Sequence, residues 1–314
     1  MTSLDVVAVG DVMVDVSIPA EEVAEGHVLG VLWMHAGGSA ANAAVWAATA
    51  GVRSGVVGRV GDDLPGRALR RELEDRAVHA SLALDADLPT GCILAFGERV
   101  IAERGANARL APDDLPPSLG APAVLVSGYI LLHAGSEAAG LAALARASGP
   151  WIAVDAASAR LLRGYGRDSF LEATERATVL LLNEDEAVAL TDAEPEQAAR
   201  TLADRYRLVC VKRGAAGVTA SFEGTVLRAK PPTAERGDGR GAGDAFAGAL
   251  LAALARGVSA QTALTAACGA GAAAVASGGV WPRLGLAPPS GVTAEAASAR
   301  PEWLGRGQPD LPAR

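Results

Sequence analysis

The chain is poor in the residues that build disulfide scaffolds and metal centres. Of its 314 residues, three are cysteine, four are histidine and 4% are aromatic. Cys92, Cys210 and Cys268 are odd in number and far apart, and no Cys-x-x-Cys or Cys/His cluster occurs. This excludes a disulfide framework and a classical zinc site. Blocks of five or more basic residues are also missing, and the formal charge is -8. A nucleic-acid partner is therefore not expected. No apolar run reaches the length of a membrane span, because the Ala-rich stretch 266–276 is broken by Gly269 and Gly271. The N-terminus lacks a basic region followed by an apolar stretch, so no signal peptide is expected, and a cytoplasmic location with no membrane partner is the default.

Half of the residues are apolar, which supplies a large core. Short β-branched runs recur at 6–9, 55–57, 123–126, 151–154, 179–182 and 208–211. They are apolar throughout rather than alternating, as in parallel strands buried on both faces. Helical segments lie between or beside them at 40–50, 65–76, 137–147 and 197–206. The alternation predicts an α/β fold with a mostly parallel sheet. Two stretches, about 12–36 and 81–104, read as strands joined by turns. They fit a small sheet beside the main one, or two surface hairpins. Long Ala-rich helices are predicted over 243–256 and 260–276, and a Pro- and Gly-rich tail without order follows residue 282. No repeat or linker divides the chain, so a single domain over 1–314 is expected.

The strongest local signal is Gly237-Asp238-Gly239-Arg240-Gly241-Ala242-Gly243-Asp244. A glycine-rich turn that opens a helix exposes several backbone N–H groups, and the helix dipole adds positive potential there. Asp244 in the first turn is a candidate proton acceptor. Read locally, the same run fits a helix N-terminus with an acidic first turn equally well. It is not a phosphate loop of the Gly-Lys-Ser/Thr type. Gly37-Gly38-Ser39-Ala40-Ala41-Asn42 also marks a turn into a helix, with Asn42 placed either to bind a hydroxyl or to cap. Asp11 and Asp15 follow the first strand, where α/β sheets bind ligands, although each alone also reads as a turn carboxylate. Asn183 and Glu186 share a face at a helix start, either as support for a hydrated Mg²⁺ or as a cap. Lys212-Arg213-Gly214-Ala215-Ala216-Gly217 is a tight turn or a hairpin.

Together these pieces resemble the ribokinase-like (PfkB) family of carbohydrate kinases. The run Gly37 to Asn42, continuing through Gly51 to Gly61, is similar to that family's first signature. Asp238-x-x-Gly241-Ala242-Gly243-Asp244 is similar to its second. Between them, in family order, fall Gly61-Asp62-Asp63 with Gly66, Pro89-Thr90-Gly91, Gly105-Ala106-Asn107, Asn183-x-x-Glu186 and Gly214-x-x-Gly217. The resemblance spans about 5–285. It implies a three-layer α/β/α sandwich with a β-sheet lid formed from the two strand-like stretches. It implies MgATP as phosphate donor, Asp244 as general base and the amides of Gly241, Ala242 and Gly243 as an anion hole. It implies Asp15, Gly38, Ser39, Asn42 and Asn107 as substrate contacts. Asn183, Glu186, Lys212, Gly214, Gly217 and Cys268 fall on the nucleotide side, with Glu186 reaching the metal through water. Some relatives also bind a monovalent cation or pair through the lid. The acceptor class implied is a sugar or sugar acid of the ribose, fructose or 2-keto-3-deoxygluconate type, with a nucleoside as alternative. A non-catalytic sensor on the same fold is a further alternative, against which the retention of Asp244 argues. The chain departs from the family pattern at Gly239, Ser39-Ala40, Ser127-Gly128-Tyr129, Asp155-Ala156-Ala157 and Cys268.

Overall fold

A computed structural model describes residues 3–18, 33–96, 99–233, 239–277 and 281. Residues 1–282 make up one compact unit. The expected tail after 282 lies outside the described residues, as do Asp238 and the middle of the 12–36 stretch.

The chain begins with strand β1 (Val6–Val9), then β2 (Met13–Ile18) and β3 (Trp33–Gly37), before helix α1 (Ser39–Thr49). Next come β4 (Ser54–Gly61), α2 (Leu64–Asp75), β5 (Val78–Asp85), β6 (Thr90–Phe96) and β7 (Arg99–Gly105). The central run is β8 (Ala123–Ser127), α3 (Gly128–Leu131), α4 (Glu137–Arg146), β9 (Trp151–Asp155), α5 (Ala159–Tyr165) and α6 (Arg167–Ala173). After it follow β10 (Val179–Asn183), α7 (Glu184–Thr191), α8 (Pro195–Leu202), β11 (Leu208–Lys212), β12 (Val218–Phe222) and β13 (Thr225–Ala229). The last helices are α9 (Ala242–Ala255) and α10 (Ala260–Ser277).

Nine strands form one sheet in the order β13-β12-β11-β10-β9-β8-β1-β4-β5. Every pairing from β11 to β5 is parallel, while β12 and β13 add antiparallel strands at one edge. The strands are apolar throughout because both faces are covered. Val6 and Ala8 of β1 enter one buried cluster, shared with residues of α1, α9 and α10; Val7 and Val9 enter another, shared with residues of α4, α7 and α8. This is the expected three-layer sandwich. From β1 the chain proceeds to β4 and β5 on one side, and from β8 to β11 on the other. The reversal between β1 and β8 opens a crevice at their C-terminal ends.

A second sheet has the order β3-β2-β6-β7. It contains the strand portions of the expected lid, but the second stretch divides differently. Residues 81–85 complete β5 of the large sheet, and the small sheet resumes at Thr90. The reason is visible in the pairing, since β5 runs alongside β4 for eight residues, from Val78 to Asp85, before the turn. The helix expected over 197–206 starts and stops early, at Pro195 and Leu202, and Tyr206 is buried after it.

Two glycines set the distances on which the site depends. Gly38, at φ 93°, lies so close to Asp11 that a Cβ would meet the Asp11 carbonyl oxygen. Gly248 of α9 lies against the backbone of α1, where a Cβ would meet Ala43 O and stand 3.0 Å from Ala47 N. Neither backbone can yield as a side chain can. Gly248→Ala is expected to separate the helices at a cost of about 1–3 kcal/mol. The measurement is thermal unfolding, where the midpoint should fall by several degrees; an unchanged midpoint would contradict this packing.

Candidate active site

The candidate side chains come from the C-terminal ends of strands of the large sheet, from the starts of α1, α7 and α9, and from β2 of the small sheet. Asp244 stands in the first turn of α9, behind Gly241, which caps the helix with φ 75°. The first amides of a helix have no intrahelical acceptor. Here Ala242 N–H turns back to Gly239 O at 3.3 Å and Ala245 N–H bonds Gly241 O at 2.9 Å. Of the amides expected as an anion hole, Gly241 to Gly243, that of Ala242 is thus turned to Gly239, and the intervening amides at the positive end of the helix dipole are those of Gly243 and Asp244.

Asn42 Nδ2 donates to Asp244 Oδ2 at 2.7 Å, so the two signature runs meet across the α1–α9 interface. Burial pushes the Asp244 carboxyl up to about 7, with Asp155 and Asp15 adding repulsion and Asn42 and Lys212 opposing it. Asp15, on β2 opposite His35 of β3, is pushed up to about 6 by burial, tempered by the Arg240 guanidinium. Its Oδ1 is buried without a hydrogen-bond partner. A carboxylate oxygen in that condition fits a ligand that brings its own donor, such as a hydroxyl.

On the other side, Lys212 Nζ and Asp155 Oδ2 pair at 2.7 Å. Burial works against the ammonium, but Asp155 and Glu186 more than offset it and hold it above the ordinary lysine range. Lys212 Nζ is 3.3 Å from where a Cβ on Gly243 would be. A cation beside a helix N-terminus is opposed by the helix dipole, and both converge on a place suited to an anion. Asn183 and Glu186 form a reciprocal cap. Asn183 Nδ2 donates to Glu186 Oε1, Asn183 N–H donates to Glu186 Oε2, and Glu186 N–H donates to Asn183 Oδ1, each at 2.8 Å. Burial, and then Asp155, push Glu186 up to about 7. Among the described residues, no group of three or more His, Cys, Asp or Glu could hold a metal directly. The carboxylates here exceed the one ammonium, which fits a hydrated divalent cation carried on phosphate.

The remaining expected residues divide between site and frame. Gly38 and Ser39 are at the entrance to α1, and Ser39 Oγ shares a hydrogen bond of 2.8 Å with Ser127 Oγ at the end of β8. Asn107 is committed to backbone: Val12 N–H donates to its Oδ1, and its Nδ2 donates to Val12 O and Arg104 O. A substrate contact at Asn107 would use the remaining lone pair of Oδ1 or replace one of these bonds. Asp11 is held in a two-point ion pair with Arg104. Gly214 and Gly217 form the turn between β11 and β12. Cys268, on α10, points its thiol at Ala229 O, and burial raises it to about 11.

Three neighbours of the site carry no role in the sequence reading: Asp155 and Tyr129 stand there only in departures from the family pattern, and Trp281 is not singled out. Asp155 ends β9, and its place at a strand terminus was a usable signal. Tyr129 follows Ser127; its phenol is raised to about 12 by burial and then by Asp244, Asp155 and Glu186. Trp281 donates to Asn42, and nothing in the Pro- and Gly-rich sequence around it marks that contact.

Comparison with known proteins places the chain in a family. The family model described as pfkB family carbohydrate kinase matches residues 3–282. A fructokinase of Klebsiella pneumoniae is 32% identical over 237 residues, covering 70% of this chain and 76% of that protein. The crystal structure of a Vibrio cholerae fructokinase in fructose-, ADP- and calcium-bound form superposes with TM-score 0.73 at 26% identity, over 89% of this chain and 95% of that one. An aminoimidazole riboside kinase of Salmonella enterica, complexed with aminoimidazole riboside and an ATP analog, gives 0.75 at 25% identity, over 88% and 94%. The chain therefore belongs to the pfkB family of carbohydrate kinases and is an ATP-dependent kinase of that family.

Proposed function

We propose that the protein transfers a phosphoryl group from MgATP to a primary hydroxyl of a small sugar or sugar acid, with Asp244 as general base. The observation that carries this reading is the join between α1 and α9. There Asn42 holds one oxygen of a carboxyl raised to about 7, next to the amides of Gly243 and Asp244. A base near neutrality is matched to taking a hydroxyl proton as the oxygen attacks. The helix terminus then faces the charge that develops on the transferred group.

The acceptor is held by Asp15, whose unpartnered buried oxygen is suited to one or two hydroxyl protons, with Gly38, Ser39 and Asn42 lining the entry to α1. Lys212 releases Asp155 to neutralise phosphate oxygens, and the turn containing Gly214 and Gly217 flanks the nucleotide. Asn183 and Glu186 orient water on the cation, which when bound offsets the charge of the triphosphate. The small sheet shields the proton transfer from water. Fructose-type acceptors are favoured by the relatives called fructokinases. The nucleoside reading is favoured by the structure complexed with aminoimidazole riboside. The lid exposes Met34, Val100 and Ile101, which fits pairing with a second copy of the chain.

A coupled assay of ADP release against sugars, sugar acids and nucleosides identifies the acceptor; no turnover of any of them would sink the proposal. With the acceptor in hand, Asp244→Asn should lower kcat by about 10²–10⁴-fold while ATP still binds by calorimetry. Comparable turnover in that variant would remove Asp244 from the role of base.

The raised carboxyl also has a signature without ligands. Its folded pKa of about 7 lies above the unfolded value of 3.8. Protonation therefore favours the folded state, and this contribution is lost as pH rises from about 4 through about 7. Asp244→Asn should raise the unfolding midpoint of the ligand-free protein at pH 8, with the advantage shrinking as pH falls through about 7 and vanishing below about 4. A difference independent of pH would contradict the raised carboxyl.

A further inference from the structure

Trp281 is 7% exposed. Its indole N–H donates to Asn42 Oδ1 at 2.6 Å, and Asn42 Nδ2 donates to Asp244 Oδ2 at 2.7 Å. The two ends of an amide are nearly the same in size, so its partners decide which way it faces. An indole can only donate, and an ionised carboxylate can only accept. Between them the amide has one satisfactory orientation, with oxygen towards Trp281 and nitrogen towards Asp244. Turned over, it would set N–H against N–H and oxygen against carboxylate. The indole is itself held, with the Arg76 guanidinium 4.9 Å from the ring centroid. It belongs to the same buried cluster as Leu69 and Leu73 of α2.

We propose that Trp281 is a positioning residue for phosphoryl transfer: its N–H locks the Asn42 amide so that Asp244 Oδ2 is fixed and Oδ1 is left for the acceptor hydroxyl. The catalytic part rests on the reading of Asp244 as the base; the lock itself does not. Asn42 is then a bridge between an interior indole and the base, with one N–H remaining for a substrate. The other groups that act on Asp244 come from separate elements. Asp155 ends β9, Lys212 ends β11 and Asp15 is on β2, while Tyr129 lies at the start of α3 and is itself acted on by Asp244. All of them stay in place when the indole N–H is removed.

The test uses ligand-free full-length protein in which the Trp281 indole is replaced by benzothiophene, which has the same fused rings with sulfur in place of N–H. Trp281→Phe is the second variant. Aspartate labelled with ¹³C at the carboxyl reports titration by NMR, with the Asp244 signal assigned by its disappearance in Asp244→Asn. Asn42 favours the charged form of Asp244, so loosening it should raise the Asp244 midpoint by about one unit. With an acceptor that turns over, the acid limb of the pH–rate profile should move the same way. There kcat should fall about three- to tenfold and KM should stay nearly constant. An unchanged midpoint in the folded benzothiophene protein overturns the lock. A shifted midpoint with an unchanged kinetic profile upholds the lock and overturns Asp244 as the base. Should Trp281→Phe fail to fold, the benzothiophene protein, which keeps the packing, still decides between these results.

Discussion

The site depends on the contact between the backbones of α1 and α9. Gly248 admits Ala43 and Ala47 of α1 at a distance no side chain allows. One helical turn earlier on α9 stands Asp244, and one residue before Ala43 on α1 stands Asn42. The 2.7 Å bond between them is thus a consequence of how closely two alanine-rich helices pack. Small residues in these helices were legible as a packing signal. Their role is geometric, because a wider interhelical spacing would leave Asn42 short of the carboxyl.

Electrostatics then explains why such costly groups are tolerated together. Asp15, Glu186 and Asp244 all have carboxyls raised into the range of about 6 to 7 by burial. Lys212 faces Asp155 beside a helix terminus that repels it. Each group is poorly placed for the stability of the empty protein and well placed for a ligand that brings phosphate at one end and hydroxyls at the other. Perturbed groups of this kind concentrate where chemistry is done. The reciprocal Asn183–Glu186 cap is the exception, since both Glu186 oxygens accept within it while keeping lone pairs to spare. Its two readings from sequence, a helix cap and a support for metal, are therefore compatible: a carboxylate rigidly held by its cap can still order water.

The layers of the fold were legible because strands buried on both faces leave an unbroken apolar run, and β1, β8, β9, β10 and β11 all do so. The boundary of the small sheet was less legible. Residues 81–85 and Thr90 onwards have similar composition, and only the pairing of β5 with β4 assigns the first part to the large sheet. The glycine-rich run before Asp244 is an even choice between a capped helix and an anion site when read locally, and the ordered motifs elsewhere favour the anion site. The contacts of Asp155 and Trp281 were not legible for a different reason. Their partners, Lys212 and Asn42, are 57 and 239 residues away, and no local pattern encodes a contact at that range.

The division of labour within the site follows from where its residues are carried. Asp244, the α9 amides and Lys212 belong to elements packed on or within the large sheet, whose strands are fixed by neighbours on both sides. That part of the site is anchored by the large sheet, and in the proposed mechanism it serves any acceptor hydroxyl. Asp15 belongs to the small sheet, and Gly38 and Ser39 to its exit. Two of the five departures from the family pattern, Ser39-Ala40 and Ser127-Gly128-Tyr129, fall on this same side. They meet in the structure, since the Ser39 and Ser127 hydroxyls share a hydrogen bond at the β1–β8 crevice. The two hydroxyls thus satisfy each other on the side where the acceptor is proposed to enter, whereas Gly239, which accepts from the Ala242 amide, and Asp155, which pairs with Lys212, are departures on the phosphoryl-transfer side.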